Sequence, residues 1–384
     1  MFTFGRDYAQ EISSPCDCIR LNISSLFLED QVIKMDLQVQ RYALLALVAA
    51  ALFGTSVPFA KVLLGEVSPV ILAGLLYLGS GLGLALLRFA RGKSDHPREA
   101  RLAAKDWGWL AGAIVAGGVV APVLLLWGLS GSGAADASLL LNFEGVITTL
   151  VAAAVFREAV GTRVWIASLF MLCGGIVLAY DPRALVAISP QSLAIIGACL
   201  AWALDNNLTR KVSGADPLVT AMAKGLVAGS FNLGLGFALG GKFPALATIA
   251  SALALGFFAY GISLVLFIYA LRHLGAARAG AHFSTAPFIG AALAVPLLGE
   301  AITLPLIAAT ALMATATWLV LTESHAHDHE HAHLVHTHSH VHDEHHQHTH
   351  PRDSGSEPHV HEHVHENMKH SHSHAPDLHH RHEH

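Results

Sequence analysis

The sequence predicts an all-α membrane protein of ten transmembrane helices, set as two inverted five-helix repeats and followed by a disordered, histidine-rich tail. Three observations carry that expectation. Apolar residues fill 53% of 384 positions and charged residues only 13%, with mean hydropathy +0.50, whereas a soluble domain carries about 25% charge. Ten apolar segments approach the roughly 20 residues a helix needs to cross a bilayer core of about 30 Å. Finally, 24 of the 27 histidines fall between His325 and His384. The net charge of -5 averages a near-neutral body with an acidic tail and so says little about partners.

Residues 1–41 stand apart as an N-terminal segment. Positions 1–34 contain no uninterrupted apolar run of the kind a signal peptide needs. Met35 is followed by DLQVQRYALLALVAAALF, a natural start for a membrane protein, so an upstream mis-start is expected. Cys16 and Cys18 form a lone CxC, a weak metal signal.

The spans follow at 42–64, 69–90, 107–129, 134–156, 163–180, 190–211, 217–240, 246–271, 277–298 and 302–321. Most are rich in Leu, Ala, Val and Gly on all sides, as lipid-facing or buried helices are. The first ends near Lys61, whose long stem can snorkel to the surface. The second and seventh carry the GxxxG pairs Gly79/Gly83 and Gly236/Gly240, which are helix-packing signals. Trp107, Trp109 and Trp165, near span starts, read as interfacial anchors. Cys173 and Cys199, in the fifth and sixth spans, read as buried structural thiols.

Loop charge gives the orientation. With the N-terminus inside, the cytoplasmic connections hold Lys34, Arg41, Arg88, Arg91, Lys93, Arg98, Arg101, Lys105, Arg157, Arg163, Arg210, Lys211, Arg272 and Arg278, and the outer ones hold Arg183 and Lys242. Positive residues concentrate on the cytoplasmic side. Both termini, and with them the tail, are therefore expected inside an inner (cell) membrane.

The halves echo each other. FGTSVPFAK (53–61) aligns with WALDNNLTR (202–210), and 131–160 aligns with 273–302, which sets Glu158 on Glu300. Each half has five spans. Five is odd, so the second half is inverted, an arrangement that places transport sites near the midplane at the repeat interface. The expected divisions are 42–181, 190–322 and a tail from 323–384.

Glu144 lies within the uncharged run LLLNFEGVITTLVAAAVF. A carboxylate at that depth costs about 2.5–3.5 kcal/mol on insertion scales and by default marks a proton or cation pathway. Desolvation penalises the charged form of any buried carboxyl, which suits such a group to trading a proton for substrate. The alternative is a carboxyl that merely holds a neighbouring helix. Asp205, Asn206 and Asn207 form a polar triplet in the sixth span. Consecutive helical residues point about 100° apart, so the three cannot all face one cavity. Asn206 has the spacing to pair with Arg210. His282, opposite Leu140 in the repeat register, is a metal or proton candidate or a packing hydrogen-bonder. Lys224 is either a pathway charge or a snorkelling one.

Beyond the spans, HAHDHEHAHLVHTHSHVHDEHHQHTH (325–350) alternates almost strictly, and HVHEHVHE (359–366) follows a PRDSGSEP linker. The tail has too few apolar residues to form a core. His325, His327, His329, His331, His333, His336, His338, His340, His342, His359, His361, His363 and His365 are the metal-ligand candidates. Imidazole suits nickel, cobalt and zinc. At about four ligands per ion the tail would hold roughly six. A pH response is the competing reading, since unperturbed imidazole titrates near about 6.5.

The small-residue first helix ending at Lys61, the fourth helix ending at Glu158 followed by AVGTRVWIASLFMLCGGIVLAY, and the echo GEAITLPLIAATALMATATWLVL after Glu300 together resemble the EamA-type half of the drug/metabolite transporter superfamily. The resemblance covers about 42–321. It implies ten helices, cytoplasmic termini and a central cavity between two bundles. The family commonly has a proline in mid fourth helix. Here that stretch reads NFEGV, while the ninth-helix counterpart keeps Pro287.

The expected function is a secondary exporter, proton-coupled, of a small solute or of divalent nickel, cobalt or zinc. Glu144 would couple, Asp205, Asn206, Asn207 and His282 would line the route, and the tail would concentrate or sense metal. A metabolite, amino-acid or drug exporter with a regulatory tail remains open, as does a membrane-anchored metal sensor or store. No P-loop is present, so ATP-driven pumping is not expected. No nucleophile–base set stands out, so no enzyme activity is expected, and no cofactor is required. The expected partners are the bilayer, the solute and protons, not nucleic acid; a homodimer is allowed.

Overall fold

The computed structural model describes residues 40–90, 107–156, 162–180, 189–210, 216–274 and 276–321 of the membrane body, with 326–330, 334–340, 359–365 and 369–373 of the tail. Met35, Cys16, Cys18, Glu158, His325, His331, His333 and His342 lie outside the described residues.

Helix α1 (Gln40–Leu63) is interrupted at Thr55, whose hydroxyl donates to the Leu52 carbonyl at 2.7 Å. Then come α2 (Pro69–Ala90), α3 (Trp107–Ser130), α4 (Ala134–Leu140), α5 (Phe143–Phe156) and α6 (Thr162–Ala179). The second half comprises α7 (Pro190–Arg210), α8 (Pro217–Ala238), α9 (Leu246–Leu274), α10 (Ala276–Phe283), α11 (Ala286–Leu298) and α12 (Leu304–Leu321). Since α4–α5 and α10–α11 each make up one span, the membrane body has ten membrane helices, five per half.

The sequence reading treats the fourth and ninth spans as single helices, and the structure breaks both. The cause is local. Asn142 Nδ2 donates to the Leu139 carbonyl at 2.9 Å, and Thr285 Oγ1 donates to the His282 carbonyl at 2.7 Å. Such side chains compete with the helical ladder. Pro287, at the start of α11, has no N–H to contribute to that ladder. Under the 131–160 to 273–302 register the two breaks coincide within one residue.

Two spans also widen into π-helix, α3 at Ile114–Val120 and α9 at Phe257–Ile262. The same register superposes these as well. π-Turns are rare and cluster at functional sites.

Glycine sets the closest helix contacts. A Cβ on Gly229 of α8 would lie 2.5 Å from the Leu78 amide nitrogen of α2, and one on Gly81 would lie 2.6 Å from the Leu226 nitrogen. Of the expected packing pairs, Gly79 meets the Leu253 backbone and Gly83 the Phe257 ring. Gly236 meets Ile71 but Gly240 meets nothing; its φ of 82° ends α8, so its role is a turn rather than packing. Leu72, Leu76, Leu126, Leu139, Ile195 and Met313 are among the fully buried core residues, whereas Leu86, Phe89, Leu172, Phe231 and Trp318 are exposed. An apolar exterior of that kind needs lipid against it. Trp107, Trp109 and Trp165 are exposed as anchors would be. Cys199 is buried as expected, but Cys173 is exposed, because it falls on the outward face of α6.

Opposite charges tie the halves together at the α3–α4 turn. Lys61 Nζ donates to the carbonyls of Leu129 (2.7 Å), Ser132 (2.8 Å) and Ser130 (3.3 Å), so it caps α3 where the helix dipole is negative. Glu300, from the second half, accepts from the amides of Ala134 (2.6 Å) and Ala135 (2.9 Å) at the start of α4. Glu300→Ala strands both amides and is expected to destabilise the protein by about 1–3 kcal/mol. A lowered thermal midpoint in detergent would show it, and an unchanged midpoint would refute the cap.

The tail was expected to lack regular structure, yet its described stretches are strands: β1 (Ala326–Glu330), β2 (Leu334–His340), β3 (His359–His365) and β4 (Lys369–Ser373). β1 pairs with β4 and β2 with β3, both antiparallel. The His-x-His alternation is the two-residue period of a strand. It sets His336 opposite His363, His338 opposite His361 and His340 opposite His359. In the other ribbon His327 faces His372 and His329 faces His370.

Candidate functional site

A cavity of about 230 Å³ opens between the two helix breaks. One wall is Leu141, Asn142, Glu144, Gly145 and Val146, and the facing wall is Gly280, Phe283, Ser284, Ala286 and Pro287. Phe53, Met171, Thr317 and Val320 complete it. Both halves therefore contribute, and the walls are mainly apolar, with one carboxylate.

That carboxylate is Glu144, half-buried in the first turn of α5. Its Oε1 accepts from Asn206 Nδ2 at 2.9 Å, and the same amide lies 3.5 Å from Thr148 Oγ1. Asn206 thus engages Glu144, and the side chain of Arg210, its expected partner, lies outside the described residues. Asn207 Nδ2 donates to the Ala203 carbonyl (2.8 Å) and the Thr148 carbonyl (3.4 Å), a link between α7 and α5.

Asp205 faces elsewhere. Lys224 Nζ of α8 donates to both its oxygens, at 2.5 and 2.7 Å, and Thr209 Oγ1 donates to Oδ1 at 2.9 Å. Asp205 is buried. The sequence triplet is thereby divided between two neighbouring helices, as its 100° steps require. His282 is half-buried on α10 but is not part of the cavity wall.

Sequence reasoning missed the partners of the π-turn in α3. Tyr77 hydroxyl (2.6 Å) and Trp202 Nε1 (3.0 Å) both donate to the Gly117 carbonyl, and Asn232 Nδ2 donates to that of Gly118 (2.9 Å). A widened turn leaves carbonyls open to side-chain donors. Gly117 also lets Asp205 approach, since a Cβ there would sit 1.9 Å from Oδ2. The signal in the sequence was the Gly117–Gly118 pair in mid-span.

Among the described residues no group of three His, Cys, Asp or Glu is arranged to hold a metal, and no described cation forms an ion pair with Glu144.

Broken helices facing one another across a cavity between two repeated halves are a transporter architecture. The chain belongs to the EamA-like transporter family, whose model matches residues 40–180 and 190–322. It is similar to an uncharacterized transporter of Methanothermobacter thermautotrophicus, 27% identical over 266 residues, spanning 64% of this chain and 76% of that protein. A solved crystal structure shares the fold with a TM-score of 0.55 at 19% identity, covering 73% of this chain and 95% of the other. The protein is a multi-pass membrane transporter of a small solute, and not an enzyme.

Proposed function

We propose that this transporter exchanges protons for a small cation, exported from the cytoplasm, with Glu144 as the carboxylate that both bind. The observation that supports this most is that Glu144 is the one acid on the cavity wall, while the other deep acid, Asp205, is already neutralised by Lys224. An acid on the wall of a mid-membrane cavity can take a proton from one side and a cation from the other. Two cations fit. The apolar wall of Phe53, Met171, Phe283 and Val320 favours an organic ammonium. The tail favours nickel, cobalt or zinc, collected on its histidines at the cytoplasmic mouth; the inward placement of the tail rests on the loop charges.

Proteoliposome flux with an imposed pH gradient tests both, using Ni²⁺, Co²⁺, Zn²⁺ and a panel of amines and amino acids. The expected result is gradient-driven movement of at least one cation. Flux that ignores the gradient for every compound would remove proton coupling. Deleting 325–384 is expected to weaken transport only if metal is the cargo.

A further inference from the structure

We infer that Lys224 and Asp205 set the charge of the cargo that Glu144 accepts, an inference resting on the proposed role of Glu144. Three charged side chains are linked through α7: Glu144, Asp205 and Lys224. They form one electrostatic unit. Asn206 donates to Glu144 at 2.9 Å while its chain neighbour Asp205 is held by Lys224 at 2.5 Å, and both Asp205 and Lys224 lie within electrostatic reach of Glu144. Among the described side chains the ledger is two negative charges and one positive, a net of -1. One proton or one monovalent cation brings it to zero. A divalent ion leaves an uncompensated positive charge in a low-dielectric interior, which is costly. Lys224 thus acts as a tethered cation that occupies one of two carboxylates and leaves the other vacant for the guest. Gly117, with no side chain, makes room for that pairing.

Substitutions change the ledger in defined steps. Lys224→Met makes it -2, Asp205→Asn makes it 0, and the double variant restores -1. The readout is dicyclohexylcarbodiimide labelling of Glu144 in the full-length protein, followed by mass spectrometry. Protection is titrated with tetramethylammonium and with Ni²⁺.

In the wild type Glu144 labels, Asp205 does not, and tetramethylammonium protects. In Lys224→Met the Ni²⁺ needed for protection falls about tenfold relative to tetramethylammonium, the size of effect a unit charge at roughly 10 Å has at an effective dielectric of about 20. In Asp205→Asn protection by tetramethylammonium weakens about tenfold and protection by Ni²⁺ about a hundredfold, because a divalent ion feels the lost charge twice. The double variant returns to the wild-type ratio. If Lys224→Met does not fold, Asp205→Asn and the double variant still decide. Protection of wild-type Glu144 by no cation would overturn the proposed function itself. Normal wild-type protection with an unchanged ratio across the series would overturn only the charge-setting role.

Discussion

Glu144→Gln is expected to abolish pH-gradient-driven flux while leaving the fold intact. The amide is nearly isosteric, and its carbonyl oxygen can still accept from Asn206 Nδ2, so the 2.9 Å link between α5 and α7 survives. What it loses is the ability to exchange a proton for a cation. A positioned proton-transfer group contributes typically about 10²–10⁴-fold, so a drop of at least about a hundredfold is expected. The measurement is initial flux in proteoliposomes, with the thermal midpoint in detergent as the control for folding. Glu144→Asp keeps the charge on a shorter stem and should retain partial, still gradient-dependent, activity. Wild-type flux in Glu144→Gln would show that the carboxyl only packs.

Gly229→Leu and Gly81→Val are expected to prevent assembly of the bundle. Lipid gives helices little hydrophobic reason to associate, so α2 and α8 depend on close approach through small residues. The atoms that a new side chain would meet at these positions are backbone nitrogens at 2.5 and 2.6 Å, which cannot rotate away. Overpacking costs typically about 1–3 kcal/mol and occasionally more; two rigid backbones in contact belong at the upper end. Loss of monodisperse protein after detergent extraction is the expected outcome. Gly234→Ala supplies the comparison, because a Cβ there meets nothing within 4 Å and should be tolerated. Equal yields from all three variants would show that the contact is not needed.

These two cases also mark what was legible in the sequence. Hydropathy placed the ten spans, because a membrane helix must be apolar over its whole length. Five spans in each half implied an inverted repeat by counting alone. Glu144 stood out because an acid among Leu, Val and Ala is conspicuous. The partnership of Asp205 with Lys224 did not, since 19 residues and a helix connection separate them and only packing brings them together. Lys61 looked like a snorkelling charge and instead caps α3, and Glu300 was visible only as the echo of Glu158. The helix breaks were hidden because Asn142 and Thr285 are ordinary residues whose effect depends on rotamer. Gly240 matched a packing spacing and turned out to close a helix, as spacing does not report φ.

The widened turns in α3 and α9 fall at matching positions of the two halves. Each surplus residue rotates the helix beyond it by about 100°, so the two ends of each span present faces that an unbroken α-helix of the same sequence would not.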